Sequence, residues 1–229
     1  MSVEFKQIGH WIPLQAESEK AMLAEFEAGN YTITNPLVKV NPYLISPLSA
    51  VVLFTTEEEV AITITVKGKT KAADISHTFP KAKTHILPVV GLYQDYNNTV
   101  VIRPYRGDET VINIEIGHVA EDILCWIDTT PEYFQDNIMV VNPAAQTPTT
   151  GFDYAGDIRW YLSCQCVFDM KRLKNGNLIL GTDRLIKMPY YMSGCYEMSP
   201  VGKIYKEYRI PGGYHHDAWE MEDDWHSNQ

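Results

Sequence analysis

Near the C-terminal end the chain reads GGYHHD, Gly212 to Asp217, a stretch whose side chains are able to do chemistry. An imidazole titrates near pH 6.5, so at neutral pH it can act as nucleophile, proton donor or hydrogen-bond donor. In extended chain His215 and His216 point to opposite faces, so a single site takes only one of them. Gly212 and Gly213 permit an unusual bend that would aim a side chain, and they serve equally well as an ordinary turn. Asp217 could orient an imidazole, although adjacent residues in a strand seldom face each other. His10, His77, His85 and His118 share no ligand-type spacing and read as structural. Cys164-Gln165-Cys166 in a strand would set both thiols on one face. No second CxxC accompanies them, so reduced cysteines are expected in preference to a metal site.

These residues need elements to position them. The chain has 229 residues, with 19 basic against 29 acidic side chains and a formal charge of −10. That balance excludes the basic footprint a nucleic-acid partner requires. No run approaches the roughly 20 apolar residues of a membrane span, and no leader is evident, so a cytoplasmic chain is expected as written. Residues 16–28 (AESEKAMLAEFEA) carry an apolar stripe and stop at Gly29-Asn30, which predicts a helix. Beyond it the texture is β. Strands are predicted over 48–53, 60–66, 84–92, 99–103 and 110–116. Turns are predicted at Glu57 to Glu59, Asn97-Asn98 and Gly107-Asp108, giving an immunoglobulin-like β-sandwich over 31–118 behind a helical leader of 1–30.

Residues 119–150 read as a linker, and a second β unit starts at Gly151. Its expected strands are 158–162, 167–172, 178–181 and 203–208, with Asn175-Gly176 as the strongest hairpin signal. Trp160 and Tyr161 read as core of this unit. An aromatic-acidic-methionine triplet occurs twice, as Phe168-Asp169-Met170 and Trp219-Glu220-Met221. Such a repeat of four-stranded units is the mark of a β-propeller, of which only the first blade or blades fit here. One blade cannot close a ring, so the expectation is an all-β chain holding a sandwich and the opening of a truncated propeller, or one that depends on another polypeptide.

The ordered motifs NPYLISPLSAVVLF, VAITITVKGK and HILPVVGLY resemble the N-terminal sandwich of bacterial aryl-sulfate sulfotransferases. GDIRWYL, LKNGNLILGT, GKIYKEYRIPGGYHHD and WEM are similar to the opening of that family's propeller. The resemblance implies six blades and transfer of a sulfuryl group from a phenolic sulfate ester to a phenol, without the nucleotide donor PAPS and with no cofactor or metal. It also implies a transiently sulfated histidine. His216 matches a family position that binds or protonates at the sulfate centre. His215 and Tyr214 are weaker substrate-binding candidates, the tyrosine by stacking on or hydrogen-bonding a phenol. Tyr93 joins them because it falls in the best-matched sandwich motif, with packing as its ordinary role.

The family's nucleophilic histidine, a second histidine and the sulfate-binding arginine belong to later blades and match nothing in this chain. Isolated turnover is therefore not expected. The partners implied are a phenolic sulfate donor, a phenol acceptor and a possible second copy paired through the sandwich, with no nucleic acid and no membrane. Many members of the family are exported. A non-catalytic binding or dimerisation module is the alternative reading.

Overall fold

A computed structural model describes residues 11–119, 138–142, 148–164, 166, 170–181, 185–187, 191–192 and 194–209. Helix α1 spans Trp11–Ala28, starting earlier than its apolar stripe suggests. Pro13 falls in its first turn, where a missing N–H breaks no intrahelical bond. The buried residues are Trp11, Gln15 and Met22.

Strands β1 (Leu37–Val40), β2 (Ser49–Val66), β3 (Ile75–Val90), β4 (Tyr96–Pro104) and β5 (Thr110–Ile116) form one five-stranded sheet. All its pairings are antiparallel. The two strands predicted over 48–53 and 60–66 are halves of the continuous β2. Its register with β3 slips between Thr55 and Ile62. Glu57, Glu58 and Glu59 stand exposed there. Extra residues taken up as a bulge bend a strand without ending it, which replaces the expected turn.

The bend folds the sheet onto itself. Ala50, Val52 and Phe54 from one half of β2 share a core with Ile62, Ile64 and Val66 from the other, joined by Val89, Val100, Ile102 and Ile114. Before the bend both faces of β2 are buried, because Val51 and Leu53 pack outward with Met22 of α1. Strand β3 pairs only with β2 among the described residues. Exposed Pro80, Lys81 and Lys83 blunt its other edge against further pairing.

The expected turn at Asn97-Asn98 lies inside β4. Asn98 is fully buried, and its amide is consumed by backbone groups, which explains a polar residue at a core position. Gly107, at φ 108°, does sit in the connection from β4 to β5.

Among the described residues, the second half holds a three-stranded sheet, a four-stranded sheet and a two-stranded hairpin. Strands β6 (Met139–Val141), β7 (Thr150–Phe152) and β8 (Ile158–Tyr161) make the first, so the segment expected to be linker supplies a paired strand. The second starts with β9 (Met170–Arg172) and β10 (Leu178–Gly181). After a small hairpin of β11 (Leu185–Lys187) and β12 (Tyr191–Met192), β13 (Gly194–Met198) and β14 (Ile204–Arg209) complete a four-stranded antiparallel meander. Ile158–Tyr161 therefore does not belong to the four-stranded blade, and Gly194–Met198 takes the place expected of it. The Asn175-Gly176 turn joins β9 to β10, with Gly176 at φ 86°. Leu173 N–H donates to the Asn177 carbonyl at 2.8 Å.

Leu180, Tyr196, Met198 and Ile204 of the meander pack against Trp160, Leu162, Cys164 and Cys166. The four-stranded sheet thereby covers Trp160 of β8 and the segment that follows that strand. Strand β8 serves both halves: Trp160 lies in this inter-sheet core, whereas Tyr161, expected to join it, packs on the sandwich core.

Candidate functional site

Of the four residues singled out for chemistry, His216, His215 and Tyr214 lie outside the described residues. So do Trp219-Glu220-Met221 and Phe168-Asp169, while Met170 opens β9. Tyr93 is described, and it stands where the sandwich meets the second half of the chain.

The Tyr93 backbone is fixed first. Asn98 Oδ1 accepts from Tyr93 N at 2.7 Å, and Asn98 Nδ2 donates back to Tyr93 O at 2.9 Å. The same Nδ2 reaches Ile114 O at 3.2 Å, which ties the loop after β3 to β5. Tyr93 is 2% exposed. Its hydroxyl donates to Asp153 Oδ2 at 3.0 Å and accepts from Lys69 N–H at 3.1 Å and Arg159 Nη1 at 2.9 Å. Burial raises its pKa most; the Lys69 N–H and Arg159 oppose this, and Asp153 reinforces it, leaving the phenol pushed up to about 12. Such a hydroxyl stays protonated near neutral pH. Enclosed on this scale, the ring offers no face to a phenolic substrate.

Arg159 organises the junction from β8. Its side chain is wholly buried. Nε donates to Gly91 O at 2.7 Å, and Nη1 donates to Ala73 O at 2.9 Å and Asp153 Oδ2 at 3.2 Å. The guanidinium carbon sits 4.0 Å from the Tyr93 ring centroid. A buried charge survives only when paired and hydrogen-bonded, and this arrangement meets that condition for all but Nη2, which has no partner. Asp153 is the counter-charge. Its Oδ1 also accepts from Ala155 N and Asp157 N, closing the β7–β8 turn. That turn reaches the sandwich again through Lys69–Asp157 at 2.6 Å and Tyr154–Thr70.

The sandwich side is shaped to receive these groups. Asp74 accepts from Lys67, Lys71 and Gly68 N–H, which fixes the β2–β3 connection and the Ala73 carbonyl that Arg159 uses. Burial would raise the Asp74 carboxyl, but these donors outweigh it and hold it below its ordinary value.

A second anchor lies at the turn from β13 to β14. Val201 is buried with Met22, Tyr43 and Val51. Gly202, at φ 90°, passes so close to the sandwich that a Cβ there would stand 3.0 Å from Ile45 and 3.1 Å from Ser46. Gln15 of α1 donates to Tyr43 O at 2.8 Å and Gly202 O at 2.9 Å, and accepts from Ile204 N–H at 2.8 Å. Trp160 Nε1 donates to Pro200 O at 2.7 Å. The helix, the sandwich and the blade are therefore clamped together by one five-residue turn.

Sequence reasoning missed Arg159, Asp153, Asn98 and Gln15. One signal was present: Arg159 interrupts the apolar run IRWYL. Among the described histidines, His118 Nδ1 meets Asp95 Oδ2 at 2.7 Å on the exposed surface. His85 is buried against Phe54, with ring centroids 4.7 Å apart. No group of three His, Cys, Asp or Glu among the described residues is placed to hold a metal. No helix among them is long and apolar enough to cross a membrane.

Two family models match the chain. The arylsulfotransferase Ig-like domain matches residues 37–116, and arylsulfotransferase (ASST) matches residues 126–226. The first covers the folded-over sheet and the second covers the strands from β6 to β14. Between them they account for most of the chain. No curated protein matched it significantly.

Proposed function

We propose, on the premise that the chain belongs to the arylsulfotransferase family, that it supplies the sandwich and opening blades of an enzyme moving a sulfuryl group between phenols. The donor is a phenolic sulfate ester and the acceptor a phenol. PAPS takes no part, and a histidine carries the group between two half-reactions. The observation that carries this reading is the pair of consecutive family matches on either side of the Arg159–Tyr93 junction.

Sulfuryl transfer needs a nucleophile, donors to the sulfate oxygens and a proton for the departing phenolate. His216 is assigned to binding or protonation at the sulfate centre. Tyr214, on the same face as His216 in extended chain, is assigned as a substrate contact, with His215 as the alternative to His216 and not its companion. Tyr93 is assigned to positioning, since its hydroxyl is already committed to Asp153, Lys69 and Arg159. Residues 1–229 hold no position matching the family's nucleophilic histidine or sulfate-binding arginine, so transfer by this chain alone is expected to be absent.

The test is sulfuryl transfer from 4-nitrophenyl sulfate to phenol, for the chain alone and for the chain fused to the remaining blades of a family member. The fusion should turn over and should lose activity with His216→Ala, while the chain alone stays silent. A folded fusion without transfer, or one indifferent to His216, defeats the reading. The second reading, a dimerisation module, draws on the sandwich being matched by a family model of its own over residues 37–116. Light scattering on the whole chain decides it: a strict monomer at all concentrations counts against pairing.

A further inference from the structure

We propose that Cys164 and Cys166 form a redox-responsive dithiol site, closed to an intramolecular disulfide by a low-molecular-weight disulfide. The two sulfurs lie 3.6 Å apart. Both residues are buried beside Trp160, Leu162 and Leu180. A disulfide bond is about 2.05 Å long, so closure needs an approach of about 1.5 Å, within reach of χ1 adjustments at two residues separated by a single residue. Cys195 belongs to a different cluster, with Leu173 and Ile179.

The chemistry balances as thiol–disulfide exchange. One thiol gives up its proton, and its sulfur attacks the small disulfide and expels one small thiolate. The second then displaces the other small thiolate from the mixed disulfide. Two protein thiols are oxidised, one small disulfide is reduced to two thiols, and the protons end on those thiols. A ring spanning three residues removes little freedom from the unfolded chain, and strain in so short a loop leaves the bond easily reduced. Those properties suit a reversible mark more than a permanent staple.

Access comes by local opening of the bend that follows β8, where Ser163 is exposed directly before the pair. The site is coupled to the junction. Thr149 Oγ1 donates to the Cys166 carbonyl at 3.3 Å, and Thr149 O accepts from Leu162 N–H. Thr149 directly precedes β7, and Leu162 directly follows β8, the strand that carries Arg159.

The test equilibrates the whole native chain with glutathione buffers running from reduced to oxidised. Intact mass should fall by two hydrogens, with Cys164 and Cys166 protected together from alkylation after denaturation and restored by dithiothreitol, while Cys195 alkylates throughout. Cys164→Ser and Cys166→Ala should each abolish the two-hydrogen loss. Using two substitutions at different positions, each checked by circular dichroism, separates lost chemistry from lost fold. A loss that survives both substitutions overturns the proposal. So does a lasting glutathione adduct on Cys164 or Cys166, or alkylation of both at the most oxidising buffer, where only Cys125 and Cys195 should still alkylate.

Discussion

Arg159 and Tyr93 meet across the boundary between the two halves of the chain, Nη1 to hydroxyl at 2.9 Å and guanidinium over ring at 4.0 Å. Each is also bound to Asp153. A cation, an anion and a phenol thus share one dry pocket, and each is satisfied only while the others stay. That mutual dependence turns two stacked units into one body.

Removing the hydroxyl alone tests it. Tyr93→Phe leaves Lys69 N–H without its acceptor and Asp153 Oδ2 short of one donor, so a loss of about 1–3 kcal/mol is expected from urea unfolding. Arg159→Met strands the buried Asp153 carboxylate and should cost about 3–5 kcal/mol. Combining the two should cost less than the sum, because they share partners. Strict additivity would show that the residues act independently.

The raised Tyr93 phenol adds an alkaline signature. The folded state holds the proton beyond the unfolded value of about 10. Its contribution is therefore complete below about pH 10 and is lost as pH climbs toward about 12. Tyr43, pushed up further by burial and by Glu19, acts in the same direction. Stability followed by tryptophan fluorescence should fall above about pH 10, and less steeply in Tyr93→Phe than in the unsubstituted chain. An identical slope in both would remove Tyr93 from this account.

Two glycines with nearly equal backbone angles separate strain from close packing. Gly176, at φ 86°, has nothing within 4 Å of an added Cβ, whereas Gly202, at φ 90°, meets Ile45 and Ser46. Gly176→Ala should cost about 1–2 kcal/mol through left-handed backbone strain alone. Gly202→Ala carries the same strain plus displacement of the sandwich loop, so its midpoint should fall clearly further. Equal losses would mean that the β13–β14 turn is not wedged against the sandwich.

Much of this architecture was legible in the sequence, and the illegible parts share a cause. Alternation in VAITITV and TVINIEI marks a half-buried sheet, and Asn175-Gly176 marks a hairpin, because both signals are local. Whether β2 stops or bends at Glu57 to Glu59 depends on β3 lying opposite, which no local pattern reports. Asn98 resembles a turn residue until the Tyr93 backbone arrives to use its amide. Arg159 in IRWYL resembles an outward-facing strand residue until Ala73, Gly91 and Asp153 surround it. The insertion of the Val201-Gly202 turn between α1 and the sandwich depends on residues more than 150 positions away. Of the chemical candidates, Tyr93 alone lies among the described residues, and there its hydroxyl is committed to Asp153, Lys69 and Arg159.

Gln15 is the polar bolt of the second anchor. Gln15→Leu keeps the volume roughly constant and removes both donors and the acceptor, leaving Tyr43 O, Gly202 O and Ile204 N–H buried and short of partners. A loss of about 2–4 kcal/mol is expected at the usual penalty for buried unsatisfied groups. Hydrogen exchange should quicken at Ile204 while the amides of β4 keep their protection. Unchanged exchange at Ile204 would show that the helix does not hold the blade.

Acid sensitivity should appear earlier than carboxylates alone would bring it. His85 is 1% exposed and stacked on Phe54, with Thr56 Oγ1 at 3.1 Å from Nε2 and no partner for Nδ1. Burial lowers its pKa, offset only in part by the Ala82 backbone. The folded chain thus prefers the neutral ring, and the contribution is present above the unfolded value of about 6.5 and is lost as pH falls below it. Asp74 is lowered by its lysine and backbone donors, and Glu197 chiefly by Lys206 and Asn177. Both contribute in the same direction, but only below the carboxylate range of about 4. The histidine's window opens first as pH falls, so stability between about pH 6.5 and 5 should decline in the unsubstituted chain and stay flat in His85→Phe. A decline of equal steepness in that variant would assign the acid limb to another group.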